Sequence, residues 1–374
     1  MPTESFALKA ERTTPQELPV SVRQAFASHR TIVGIVAAQA AMTLALAILY
    51  PGTNAIGPRH VASTTLGLLI LVLPLCIVAL CLRRVARARP EGSATVALIG
   101  EIGTYLSDRD RLRNGLPVLV LFIPFMTLFA HLKANIPAIQ PFAWDETFTL
   151  WDRTLFLGHL PYEVLAPVMS HPLVLSVTDI LYVGWFYLMW GVLLACAFQK
   201  QGSELRTRYI VAFFLVWLLQ GNVLALLLSS AGPCFYAPLG LSPDPYQPLM
   251  ATLRAADAEW PIFALTMQDM LWSGHVGASE PMGISAMPSL HNAVAVLMVL
   301  GAWRIGRALG LAFAAYALWI FAGSISLGWH YAVDGFVALP ATVAIWIASG
   351  WLARRQHRSD LHPAATGGLA AQAR

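Results

Sequence analysis

The chain of 374 residues is 57% hydrophobic and only 12% charged, with a formal net charge of +4. Soluble domains carry about 25% charged residues, and here the apolar residues fall in long blocks, which excludes an ordinary soluble protein. Nor does the positive charge mark a nucleic-acid binder, because no basic patch is interleaved with aromatics on a soluble face.

Eight apolar blocks approach the roughly 20 residues needed to cross a hydrocarbon layer. They run over 31–50, 66–82, 115–132, 173–198, 209–230, 287–305, 309–328 and 333–353. The predicted fold class is all-α: a polytopic membrane helical bundle of about eight transmembrane helices, with interfacial helices in the outer loops. The second and third blocks are short, so seven crossings is the alternative. Residues 1–30 read as a polar cytoplasmic segment, 31–353 as one integral membrane domain, and 354–374 as a disordered cytoplasmic tail. No cleavable signal is evident in the first 30 residues, so the first span is expected to serve as an uncleaved one.

Orientation follows from the basic residues. With a cytoplasmic N-terminus and eight spans, only Arg59, Lys133, Arg153 and Arg254 of the 24 Lys and Arg lie outside, as the positive-inside rule requires. The loop from Arg83 to Arg113 is the main inner anchor. Cys76, Cys81 and Cys196 fall in spans and Cys234 outside, a spacing that builds neither a disulfide framework nor a metal site.

Two outer segments are longer than a simple connection requires. Residues 133–172 mix Phe142, Trp144, Phe148, Trp151, Phe156 and Tyr162 with Asp145, Glu146, Asp152 and Arg153. That mixture suits a helix in the headgroup layer with its charges in water, serving either as an aromatic belt or as a substrate-facing surface. Residues 231–286 hold five prolines before position 250, which read as loop, and then a segment from Trp260 to Trp272 that reads as a second interfacial helix. Together these segments suggest a lid or a substrate entrance.

The chemistry-bearing residues lie at the ends of the last three blocks. Pro288-Ser289-Leu290-His291 opens the sixth span, and His330-Tyr331-Ala332-Val333-Asp334 opens the eighth. At about 1.5 Å per residue, descending one span and ascending the next returns the second histidine to the membrane face of the first. A spacing of four places His330 and Asp334 on one helix face, where the carboxylate fixes the imidazole tautomer. One histidine attacking while another donates a proton splits a phosphoester without a metal. Ser289 stands at the sixth helix N-terminus, as helix cap, phosphate ligand or both. Taken singly, a histidine or aspartate at a helix end is an interfacial or capping residue. Three of them converging on one face point to a reaction centre. Asp179, Gln220 and Asn222 inside spans leave a transporter as the rival class, although no paired broken spans support it.

At these residues the chain resembles the type 2 phosphatidic acid phosphatase superfamily. The resemblance rests on Gly283-Ile284-Ser285-Ala286-Met287-Pro288-Ser289-Leu290-His291 and Gly328-Trp329-His330-Tyr331-Ala332-Val333-Asp334-Gly335, and it covers roughly 175–352, the expected catalytic core. It implies that His330 attacks phosphorus and forms a phosphohistidine, that Asp334 orients it, and that His291 protonates the leaving group. It also implies a phospholipid or lipid-phosphate substrate and the bilayer as partner, with no cofactor, no metal and no nucleic acid. The chain departs from the family's phosphatases. It has no Lys-x6-Arg-Pro motif, Ser324 stands where an arginine is usual, and Leu290 stands where a glycine is usual. The Pro-Ser-Leu-His form, Gly232-Pro233-Cys234-Phe235-Tyr236 and Trp151-Asp152-Arg153 resemble instead the inositol phosphorylceramide synthase-like branch. That implies transfer of a phosphoalcohol headgroup between lipids, with a lipid phosphate phosphatase as the alternative. Arg153 first and Lys133 second are the expected cations for the phosphate, beside Ser289.

Overall fold

The computed structural model describes residues 26–51, 58–90, 92–200, 203–279 and 282–361. The polar segment before residue 26, most of the predicted tail and the Arg59 side chain lie outside the described residues.

The described residues form helices and connecting turns, with no strand among them. In chain order the helices are α1 (Arg30–Leu49), α2 (Pro58–Ala88), α3 (Ala94–Ser107), α4 (Arg109–Ile139), α5 (Asp145–Leu155), α6 (Pro161–Met169) and α7 (Pro172–Ala197). There follow α8 (Glu204–Leu227), α9 (Gln247–Asp257), α10 (Phe263–His275), α11 (Leu290–Trp303), α12 (Arg307–Ser326) and α13 (Ala332–Leu361). Each of the predicted apolar blocks falls on one of these helices. Among the described residues, six helices are long and apolar enough to cross a membrane: α1, α4, α7, α8, α12 and α13. The other two blocks fall on α2 and on α11, which has only 14 residues.

Two differences from the sequence reading have local causes. The Arg-rich loop contains α3, whose run from Ala94 to Ser107 carries good helix formers between the breaks at Gly92 and Asp108. Asp108 then opens α4, its carboxylate accepting from the backbone N–H groups of Asp110 and Arg111 at 3.1 and 3.3 Å. The proline-rich loop contains α9, because Pro248 falls in its first turn, where a missing N–H costs nothing.

The middle of the bundle is aromatic. Phe122, Phe125 and Phe129 share one face of α4 and meet Trp190 of α7 together with Phe214 and Trp217 of α8, at centroid separations of 4.6 to 6.0 Å. Around this core α11 packs on α12 and α13, α8 packs on α13, and α1 and α2 pack on α4. Part of α8, Val216–Leu224, is wound as a π-helix. Its polar side chains face neighbouring helices: Gln220 donates to Thr342 at 2.8 Å and Asn222 to Gln39 at 2.9 Å. Two of the three residues that suggested a transport path, Gln220 and Asn222, therefore make interhelical hydrogen bonds in this packing.

Candidate active site

The site is built where α12 ends and α13 begins. Gly328 takes a positive φ of 74°, and the backbone N–H groups of Trp329 and His330 both donate to the Ser324 carbonyl at 3.0 Å. This turn presents His330 two residues before α13 starts at Ala332. A second strand of backbone braces it. The Cys234 N–H donates to the Gly328 carbonyl at 2.9 Å. Gly232 has φ 105°, and a Cβ there would sit 2.6 Å from the Trp329 carbonyl oxygen, so only glycine fits.

The predicted pairing of His330 with Asp334 is present. Nδ1 of His330 lies 3.0 Å from Oδ2 of Asp334, and the same oxygen accepts the Tyr331 N–H at 3.1 Å. Asp334 is fully buried, and its carboxylate accepts the Nδ1–H hydrogen bond of the ring tautomer that leaves the Nε2 lone pair of His330 for chemistry. Burial holds the His330 imidazole below its usual range and the Lys133 charge adds to this, with the Ala286 carbonyl working the other way. A neutral ring follows, as a nucleophile requires.

His291 lies in the first turn of α11, its ring centroid 6.3 Å from that of His330. It sits among rings of α7: Tyr182 is stacked at 4.2 Å, Trp185 lies at 4.2 Å and Phe186 stands edge-on at 5.5 Å. Nε2 of His291 is buried with no hydrogen-bond partner among the described residues.

Both histidines line one cavity of about 520 Å³, whose walls include Tyr182, Phe186, Leu290 and Trp329. Lys133, near the end of α4, lines it too and is the only Lys or Arg among the described lining residues. Gly283 permits the approach of its strand, since a Cβ there would lie 2.7 Å from the Lys133 backbone.

The other two expected phosphate ligands are placed elsewhere. Arg153 is exposed on α5 and does not line the cavity; its charge acts instead on the Tyr162 phenol. Ser289 is fully buried behind the cavity wall and serves as the α11 cap, its Oγ accepting from the Asn292 N–H at 3.3 Å and from Asn292 Nδ2 at 3.0 Å. Asn292 Nδ2 also reaches Ser324 Oγ at 3.3 Å, and Ser324 donates to the Phe321 carbonyl. A buried Ser289–Asn292–Ser324 network thus occupies the place where an arginine is usual, and that place has no exposure to the cavity.

Three aspartates that the sequence reading did not assign to the site hold it together. Asp152 accepts from the Ala332 and Val333 N–H groups at 2.8 and 2.9 Å, capping α13 from another helix. Asp145 accepts from the Ala231 N–H at 3.0 Å, the Gly232 N–H at 2.9 Å and the Tyr331 hydroxyl at 2.8 Å. Asp179 accepts from the Phe263 and Ala264 N–H groups at 2.6 and 3.1 Å, capping α10. The expectation that Asp145 and Asp152 stand in water is corrected, because they are only 2% and 1% exposed. Burial raises both carboxyls, Asp152 to about 7, while the hydrogen bonds they accept act in the opposite direction. Their signal in the sequence is acid placed among aromatic residues, which interfacial helices share.

These features define a helical membrane protein whose site is two histidines and a buried carboxylate beside one cation. A family model described as the PAP2 superfamily matches residues 146–348, more than half of the chain. The chain belongs to that superfamily, whose members are phosphatases or phosphotransferases, and it is an enzyme of this type acting on lipid substrates in a membrane. Comparison with curated proteins and with solved structures returned no match.

Proposed function

We propose that this enzyme is a lipid phosphotransferase of the inositol phosphorylceramide synthase-like branch, moving a phosphoalcohol headgroup between lipids through a phosphohistidine at the outer membrane face. In the first step the Nε2 lone pair of His330 attacks phosphorus, the bond to the leaving lipid oxygen breaks, and His291 gives that oxygen its proton. In the second step His291 takes the proton of an acceptor hydroxyl, whose oxygen attacks phosphorus and releases His330. Asp334 holds the His330 tautomer and stabilises the positive charge that forms on the ring. Lys133 faces the non-bridging oxygens. The integral membrane domain is 31–353, with the catalytic core at about 175–352 and both termini cytoplasmic.

One observation carries the preference for transfer: the cavity offers one lysine and a wall of rings and aliphatic side chains. Lys133 is the lasting cation there, since the proton on His291 leaves with the departing oxygen; it balances the one charge of a phosphodiester, whereas a phosphomonoester keeps a second charge after that proton is gone. The apolar wall also suits a lipid acceptor better than water.

The test is intact-protein mass spectrometry after rapid alkaline quench with a panel of phospholipid donors, followed by product analysis with and without a ceramide or diacylglycerol acceptor. An adduct carrying a phosphoalcohol on His330, consumed by a lipid hydroxyl, is the expected result. An adduct of phosphate alone, released to water, would make the enzyme a phosphatase. Transfer activity that survives His330→Ala would remove the mechanism.

A further inference from the structure

His330 has a carboxylate to stabilise its charged form, and His291 has none. The ionisable groups around His291 are Lys133 of α4 and His330 on the turn before α13, Asp179 of α7 in the same cavity wall, and, behind His330, Asp334 of α13. Lys133 and His330 oppose a positive charge on His291. Both carboxylates are spent elsewhere: Asp179 on the α10 N–H groups, Asp334 on His330 and Tyr331. Yet the acid step requires His291 to arrive protonated, in a buried position. What remains beside it are ring faces. Tyr182 lies nearly parallel to the imidazole, with 17° between planes, and Trp185 lies at 35°, both with centroids at 4.2 Å. The Tyr182 hydroxyl and the Trp185 indole N–H are buried without partners among the described residues, so no hydrogen bond explains either ring's position.

We propose that Tyr182 and Trp185 are positioning residues for proton transfer, their π faces stabilising the imidazolium form of His291 in place of a counter-ion. They are three residues apart on α7 and therefore share the face turned to α11. The proposal rests on the acid–base role given to His291 above. In the step it serves, the N–P bond forms on His330 and the P–O bond breaks. The His291 proton passes to the departing oxygen, leaving a neutral imidazole stacked on neutral rings. The positive charge on His291 before transfer is what the rings favour. A desolvated cation–π contact corresponds to roughly a 30-fold preference for the charged form.

The experiment compares two phosphodiester donors, one releasing an alkyl alcohol, which needs a proton, and one releasing p-nitrophenolate, which does not. His291→Ala is the reference and should lose far more rate with the alkyl donor. If it loses both equally, the acid assignment itself fails. Tyr182→Leu and Trp185→Leu keep a packed apolar side chain without a π face. They are expected to slow the alkyl donor about 10- to 30-fold and the nitrophenyl donor less than 3-fold, while Tyr182→Phe and Trp185→Phe retain most of the wild-type rate. Equal losses on both donors, with His291→Ala still selective, would reduce the rings to packing and overturn the proposal. So would a Tyr182→Phe variant as impaired as Tyr182→Leu, which would transfer the role to the hydroxyl. Should the leucine variants not fold, fluorinated tryptophans placed at 185 alone keep the shape and weaken the π face. A stepwise fall of the alkyl rate with fluorination supports the proposal, and a flat series refutes it.

Discussion

Replacing Asp152 by alanine removes two hydrogen bonds, from the N–H groups of Ala332 and Val333, and leaves both donors buried at the start of α13. A buried donor without a partner costs about 1–3 kcal/mol, so the pair costs about 2–6 kcal/mol. Relief of the buried carboxylate offsets part of this, for its raised value of about 7 records how poorly the ionised form is tolerated. A net loss of about 2–4 kcal/mol is expected, lowering the unfolding midpoint in detergent by several degrees. Because Ala332 and Val333 lie between His330 and Asp334, kcat should fall together with stability. The carboxyl's pH dependence gives a separate readout. Its folded value lies above the ordinary 3.8, so the folded protein holds a proton that the unfolded chain has released between those values. Stability from this group is accordingly greatest near pH 4 and declines as pH rises to 7. Asp152→Asn should flatten that slope while keeping one acceptor. An alanine variant with unchanged midpoint and kcat, or an asparagine variant with the wild-type slope, would refute the capping role.

Lys133→Met should raise KM for a phosphodiester donor at least about 10-fold, with partial recovery in Lys133→Arg, whereas Arg153→Met should change KM less than 2-fold; steady-state kinetics on matched preparations decide. Gly232→Ala drives a Cβ against the Trp329 carbonyl at a positive φ, so enzyme activity should fall more than about 10-fold even where the protein inserts; activity per folded molecule is the measurement. Ser324→Arg restores the family's usual residue at a site with no exposure and two hydrogen bonds to fill. It should cost about 3 kcal/mol or more and yield no phosphatase activity, read by thermal unfolding and phosphate release.

The crossing helices and the histidine pair were legible because both are local. Hydrophobic blocks need no partner to be recognised, and a four-residue spacing from His330 to Asp334 fixes a helix face whatever surrounds it. The cation choice required distance in space: Arg153 and Lys133 are equally outer in sequence, yet α4 delivers only Lys133 to the cavity. The aspartates were missed for a related reason. Asp145, Asp152 and Asp179 bond backbone groups about 80 to 180 residues away, and no window of sequence displays that relation. By sequence Ser289 reads as helix cap, phosphate ligand or both; the structure shows the cap, with the Asn292 side chain bonded to the same oxygen.

The cap that α5 lends to α13 also sets a sequence of events during synthesis. Asp152 emerges about 180 residues before the backbone it will bind, so a nascent chain carries that acid without a partner through most of its insertion. Until the last helix enters the bilayer, neither the opening turn of α13 nor the imidazole beside it has its final support. A truncated or stalled product therefore holds His291 and its aromatic neighbours but no organised nucleophile. The membrane receives an assembled site only after α13 has been made, so surrounding lipids do not meet a half-built enzyme.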